Sequence, residues 1–404
     1  MNKNLTFLCI ASYFKGAEFL RQAKKEGVKV ILLTDKKLEN EAWPRESIDE
    51  IIMMESEELG VWNMEHLING LAYKMRSEKI DRIVAMDDFD VEKAAELREH
   101  FRIPGMGQTT YRYFRDKLAM RMKAQEEGLL VPAFSALFND AEVHEYTQNV
   151  PAPWMVKPRG EASAAGIKKV NSTEELWQLL EQLGDERHAF LIEKFTPGIV
   201  YHVDAITVDS KVVFARSSEY LDTPMEVAHG GGIFRTVTVP YNSKDDKDLK
   251  SAHKKLMKAF GMNYSASHSE FIKSNEDGKF YFLETASRVG GAHIAEQLEA
   301  SSGMNIWGEW AKLEIAVAEN AAYKFPKVEN LYAGLIVSLA RDKHPDMSSF
   351  HDEEVYWNIS KEYHIGLIVK SKSRERVLEL LENYAQRIAK DFHAALPAAD
   401  KPTS

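Results

Sequence analysis

The sequence predicts a parallel α/β segment followed by a larger α+β region, and three observations carry that reading. Short apolar runs at 5–11, 28–34, 50–54 and 81–86 alternate with helix-patterned stretches, as parallel strands with crossover helices require. Two β-patterned runs then flank a tight turn in SHSEFIKSNEDGKFYFLETASRVGG, which reads as an antiparallel hairpin. After about residue 319, a strand, a second strand and an amphipathic helix follow in a small α+β pattern.

Composition sets the class. At 404 residues the chain is too long for one ordinary core, so two or three domains are expected. With 44% hydrophobic and 28% charged residues, 22 Gly and 13 Pro, it reads as a soluble globular enzyme rather than a disordered or fibrous chain. A net charge of −10 argues against a nucleic-acid partner, because a phosphate backbone needs a basic surface. The single cysteine, Cys9, excludes an intrachain disulfide and a multi-cysteine zinc site, and its apolar neighbours make it a buried small hydrophobe. No apolar stretch reaches the roughly eighteen residues of a membrane span and no signal pattern opens the chain, so no membrane partner and a cytoplasmic location are expected.

Taken in order, the parallel segment closes at Ile103-Pro104-Gly105, a strong breaker. The turn after its first strand reads SYFKG rather than GxGxxG, so a dinucleotide site is unsupported although Asp35 ends the second strand. The run 109–132 reads as one basic helix closed by Gly128 and stopped by Pro132. A strand at 154–156 ends in Lys157-Pro158 and leads into RGEASAAGIKKV, whose small residues let backbone N–H groups approach an anion. Residues 190–195 read as a buried strand ending in Glu193-Lys194-Phe195, broken at Pro197-Gly198, and 201–208 as the next strand. After the hairpin come a helix over 306–319, strands at 331–339 and 364–369, and an amphipathic helix at 374–388; the residues from about 397 read as a frayed tail.

The hairpin carries the chemistry. Glu270 and Glu284 are equidistant from Asp277, so pairing sets two like charges opposite one another, which a fold avoids unless something positive lies between. Magnesium fits, being a hard ion held by one or two carboxylates together with substrate phosphates. Arg288, Gly290 and Gly291 follow as a fixed cation and permissive backbone. Lys157 before its small-residue loop suits a phosphate, whereas Lys117 shares a run with Arg112, Arg115, Arg121 and Lys123 that by itself reads as a solvated face. His229-Gly230-Gly231-Gly232 is similar to an esterase oxyanion loop, but no GxSxG elbow accompanies it; a substrate loop or a plain connection are the readings left. His253, His268 and His293 show no zinc-ligand spacing.

Four motifs in this order, Asp116-Lys117, Val156-Lys157-Pro158 with its loop, Glu193-Lys194-Phe195, and Glu270 with ETASRVGG, give the chain a resemblance to the ATP-grasp superfamily. It resembles the carboxylate-amine ligases of the L-amino acid ligase type and, more distantly, biotin carboxylase, from about residue 5 to about residue 390. The resemblance implies an ATP-grasp fold with an N-terminal parallel α/β (pre-ATP-grasp) domain at 1–106, two lobes gripping ATP at 107–318, a small C-terminal α+β subdomain at 319–396 and a tail at 397–404. It implies that Lys117 and Lys157 hold the nucleotide phosphates, that Glu193 with the backbone of Lys194 and Phe195 meets the adenine edge, and that the loop ending at Gly166 closes over the triphosphate with Ser163 as a donor. His202 or Asp204 would replace a ribose-binding acid at the position of Val200. Glu270 and Glu284 would bind magnesium, or manganese in its place, and Arg288 would act with Lys157 on the transferred phosphoryl group.

Departures are visible as well. Glu284-Thr285-Ala286-Ser287-Arg288 stands where the family commonly has Glu-x-Asn-Pro-Arg, so an amide ligand is missing at Ala286, and Ala162 stands where glycine is common. The implied activity is ATP-dependent joining of a small-molecule carboxylate to an amine through an acyl phosphate, releasing ADP and phosphate. Two rivals are a biotin carboxylase-like enzyme and a nucleotide-binding regulatory protein without turnover. The sequence carries no signal for oligomeric state, and a homodimer is compatible with it.

Overall fold

A computed structural model describes residues 5–162, 165–223, 227 and 231–395. Ser163, the His229-Gly230 pair and the segment from 396 on lie outside the described residues.

The first apolar runs form a four-stranded parallel sheet from Thr6–Ala11 (β1), Lys29–Asp35 (β2), Glu50–Met54 (β3) and Arg82–Ala85 (β4), in the order β3-β2-β1-β4. Strand β1 is buried at every position, as a strand covered on both faces must be. Its alternate residues feed different cores. Phe7, Cys9 and Ala11 pack toward Trp310 and Leu313 of the helix Ile306–Glu319, while Leu8 and Ile10 pack with Leu67, Leu71 and Leu97. A helix from late in the sequence therefore seals one face of the earliest sheet, and a buried ion pair, Arg82 Nη2 to Glu314 Oε2 at 2.5 Å, joins them.

A second, antiparallel sheet comprises Phe134–Ala136 (β5), Trp154–Pro158 (β6), Lys168–Val170 (β7) and Phe190–Lys194 (β8), ordered β5-β8-β6-β7. Helices Asp140–Asn149 and Thr173–Leu183 cover it through Val143, Leu176 and Leu180.

The third sheet has eight strands: Gly198–Val208 (β9), Lys211–Tyr220 (β10), Phe234–Thr238 (β11), Ser265–Ser274 (β12), Phe280–Ala286 (β13), Tyr332–Leu339 (β14), Val355–Asn358 (β15) and His364–Ser371 (β16). Their order is β13-β12-β9-β10-β11-β14-β16-β15. The segment expected as a small C-terminal subdomain thus continues this sheet, β14 pairing with β11 in the register Phe234↔Val337. Helix Arg374–Asp391 lays Val377, Leu380, Leu381, Tyr384 and Ile388 on its face.

The single basic helix read over 109–132 is broken in the structure. Gln108–Tyr111 is one turn, and helix Lys117–Glu126 starts afresh after an extended Asp116, whose carboxylate accepts from the N–H groups of Leu118 (2.9 Å) and Ala119 (3.3 Å). An aspartate that satisfies the free N–H groups of a helix start defines an N-cap and separates the two pieces. Lys117 is thereby fixed as the first residue of its helix. No helix among the described residues is long and apolar enough to cross a membrane.

Candidate functional site

A cleft of about 1890 Å³ runs between the second and third sheets and reaches the first. Its walls include Met155 and Lys157 of β6, Glu193 and Lys194 of β8, Glu270 and Ile272 of β12, Leu283 and Glu284 of β13, Lys117, Arg288, and Lys15 and Asp88, which follow β1 and β4 of the first sheet. A smaller cavity of about 790 Å³, beside Arg82, Phe101, Leu313 and Tyr323, is lined by none of the candidate nucleotide, phosphate or metal residues read from sequence.

The hairpin forms with Glu270 directly opposite Glu284. A bulge follows at once, the next pair being Phe271↔Phe282, so the extra residue is taken up below the acids and leaves them opposed. Each acid has its own partners. Lys117 Nζ lies 3.0 Å from Glu284 Oε2 and donates to the Glu161 carbonyl at 2.5 Å. Desolvation raises the Glu284 carboxyl, but Lys117, Lys157 and Arg121 outweigh it and the net direction is down. Glu270 Oε1 accepts from the Tyr220 hydroxyl at 2.8 Å and lies 3.5 Å from His268 Nε2. The two acids therefore present carboxylate oxygens to one cleft, the ligand chemistry a magnesium ion takes.

Glu193 is only 2% exposed and is held by two cations. Arg121, 1% exposed, donates to Oε2 from Nη2 at 2.8 Å and from Nε at 3.0 Å, and Lys157 pairs with Oε1. Burial pushes this carboxyl up, yet Arg121 and Lys157 bring it down to about 2. Arg121 also donates to the Leu283 carbonyl, so one guanidinium ties the second sheet to the hairpin of the third. The N–H groups of Lys194 and Phe195, expected at an adenine edge, are engaged by the carbonyls of Ala133 (2.7 Å) and Pro153 (3.0 Å). Glu193 and these two donors are thus already partnered, while the side chains of Lys194 and Phe195 line the cleft.

The loop after β6 is anchored to the start of the Lys117 helix. Arg159 donates from Nε to Asp116 Oδ1 at 3.0 Å, and its carbonyl accepts from the Lys117 N–H at 2.9 Å. Gly166 sits at φ +67°, where a Cβ would come 2.8 Å from the Pro158 ring, so glycine is needed for the chain to return.

His202 and Asp204 require a correction. Expected as substitutes for a ribose-binding acid, they are 1% and 3% exposed and do not line the cleft. Both lie on β9 as buried neighbours of the cleft wall, where His202 Nδ1 is 2.7 Å from Asp204 Oδ2 and His268 Nδ1 is 2.9 Å from Asp204 Oδ1.

Arg288 pairs with Asp88, its Nε 3.0 Å from Oδ2, and donates to the Val289 carbonyl at 2.9 Å. Burial acts against both charges, but their attraction raises the guanidinium and lowers the carboxyl. Sequence reasoning missed Asp88, Arg121, Tyr220 and His268. Asp87-Asp88-Phe89-Asp90 follows the carboxyl end of a parallel strand, where ligand crevices of α/β sheets lie, and that signal was available. Arg121 gave none, being one cation in a basic run.

Residues 122–292 match the model of the ATP-grasp domain. The chain carries an ATP-grasp domain. Along its sequence it is 24% identical over 234 residues to the L-arginine-specific L-amino acid ligase of Bacillus subtilis, a match spanning 56% of this chain and 56% of that protein. The chain therefore spans little more than half the length of that curated relative. Its fold is that of the crystal structure of L-amino acid ligase from Bacillus licheniformis, with a TM-score of 0.76, 13% identity, and coverage of 99% of this chain and 100% of the other. It is similar also to the biotin carboxylase domain of Hydrogenobacter thermophilus 2-oxoglutarate carboxylase, solved with MgADP and bicarbonate, at a TM-score of 0.72 and 17% identity, over 95% and 90% of the two chains. The ATP-grasp domain thus sits inside a chain whose whole length, first sheet and C-terminal strands included, follows one known architecture.

Proposed function

We propose that this protein is an ATP-dependent carboxylate-amine ligase that forms an acyl phosphate and then an amide, releasing ADP and phosphate. The observation that carries the reading is the Glu270–Glu284 pair opposed in one cleft with Lys117, Lys157 and Arg288 on its walls. The names of the similar ligases support it, and the division at 106 and 318 belongs to the same proposal.

A carboxylate is a poor electrophile because its leaving group would be oxide; phosphorylation replaces that with phosphate. Phosphoryl transfer depends on positioning and on neutralising charge rather than on a protein nucleophile. Lys117 and Lys157 would hold phosphate oxygens, exchanging contacts they now make with Glu284 and Glu193. Arg288, oriented by Asp88, would face the transferred group and the acyl phosphate that follows. Glu270 and Glu284 would hold magnesium, which supplies charge neutralisation on the phosphates when bound. The departure at Ala286, which is buried, leaves those two acids as the protein's metal ligands on this hairpin. Enclosure of the cleft would keep water from the acyl phosphate. The substrates are then a small carboxylic acid and a small amine.

Glu284→Gln tests the assignment. Turnover of ATP is expected to vanish while the circular dichroism spectrum and Tm stay close to those of the parent. Unchanged turnover in that variant would contradict the metal role.

A further inference from the structure

We propose that His268 is a positioning residue for Glu270, itself held by Asp204 and, through it, His202 on the neighbouring strand, so that a buried polar network fixes one carboxylate of the hairpin. The proposal rests on the metal reading of Glu270 and Glu284.

The register places the parts. Strands β9 and β12 are antiparallel neighbours with His268 opposite Asp204 and Glu270 opposite His202. Residues two apart on a strand share a face, so all four side chains stand on one side of the sheet. Asp204 uses one oxygen for each ring, His202 Nδ1 at 2.7 Å and His268 Nδ1 at 2.9 Å. His202 closes its far side on Thr236 Oγ1 at 2.8 Å. The second nitrogen of His268 is 3.5 Å from Glu270 Oε1, the oxygen that also accepts from Tyr220. The chain of contacts runs from the buried interior to a single oxygen at the cleft wall.

Burying polar groups costs free energy unless each finds a partner, and here each one does. Both nitrogens of His268 face carboxylate oxygens, Nδ1 toward Asp204 and Nε2 toward Glu270, so the ring bridges two acids. Ligand atoms of His202, Asp204 and His268 lie within 4.8 Å of one another, the grouping of a metal site. Nitrogens that donate to Asp204, however, have no lone pair left there for an ion, and the network is read as hydrogen-bonded. Gly290, two residues after Arg288, lies against it: a Cβ there would come 2.9 Å from Asp204 Oδ1 and 3.1 Å from His268 Nδ1. Tyr220 bonds Oε1 of Glu270 and His268 faces the same oxygen, which would leave Oε2 for an ion. Partners behind a metal ligand fix its orientation, and their loss costs about 10–100-fold in metal affinity.

Two substitutions at one position separate this role from packing. Asparagine reproduces the donor of Nδ1 toward Asp204 and lacks the one toward Glu270; glutamine reproduces the donor of Nε2. Calorimetric binding of the non-hydrolysable imido analogue of ATP is measured on the full chain, with and without magnesium. His268→Asn is expected to lose about 10–100-fold of the magnesium-dependent gain in affinity, with binding in the absence of magnesium unchanged, and His268→Gln to keep most of the gain. Parental behaviour of His268→Asn, equal losses in both variants, or losses of the same size without magnesium would overturn the proposal. If the parent protein binds the analogue equally with and without magnesium, the metal reading falls and this proposal with it; a magnesium gain present in the parent and undiminished in His268→Asn sinks this proposal alone.

Discussion

Arg121 shows how a single side chain can decide the shape of a site that its sequence context conceals. Its neighbours Arg112, Arg115 and Lys123 suggest a solvated face, yet it is buried on Glu193 and on the Leu283 carbonyl. A buried charge is tolerated only when paired, and removing one partner strands the other. Arg121→Met is therefore expected to destabilise the protein by about 3–5 kcal/mol in urea denaturation, because Glu193 would retain only Lys157. A change within roughly 0.5 kcal/mol, the range of ordinary surface substitutions, would show that Glu193 does not depend on it. Lys157, Glu270, Glu284 and Arg288 were legible in the sequence because each sits beside a turn, a hairpin or a glycine pair that marks its place. Asp204 and His202 were legible only as polar residues on a strand; whether such residues face a ligand or one another is set by their neighbours on β12, far along the chain.

At the scale of elements, the hairpin was readable because its symmetry is local. Equal spacing of two acids about Asp277 sufficed to oppose them, and the bulge beside Glu270 shifted only the pairs below. The basic helix was misjudged because an N-cap inside a charged run resembles any other aspartate until its carboxylate is seen accepting from Leu118 and Ala119. Similarly, Pro197-Gly198 reads as a breaker, whereas Gly198 in fact opens β9 opposite Ser274. A Cβ on Gly198 would lie 2.1 Å from the Lys273 carbonyl oxygen, a backbone atom that cannot swing aside. Gly198→Ala is expected to cost about 1–3 kcal/mol and to lower Tm, since β9 and β12 must part where they begin to pair. An unchanged Tm would mean that the strands separate there without penalty.

At the scale of the molecule, three sheets meet at one cleft. The first contributes through Asp88, which orients Arg288, and through Arg82, which pairs with Glu314 on the helix sealing it. The C-terminal strands contribute by extending the sheet that carries the hairpin. Sequence pattern resolved the strands and helices of this part, but not their union with β11, because sheet order depends on non-local pairing that periodicity does not encode. The proposed reaction, joining an acid to an amine at the expense of ATP, draws on the whole assembly. The most direct measurement is phosphate release from ATP and magnesium across a panel of amino acids and other carboxylic acids, each alone and in pairs with amines. A ligase releases phosphate and ADP fully only when an acid and an amine are both present. Release that needs bicarbonate and biotin, or ATP binding with no release on any pair, would contradict it.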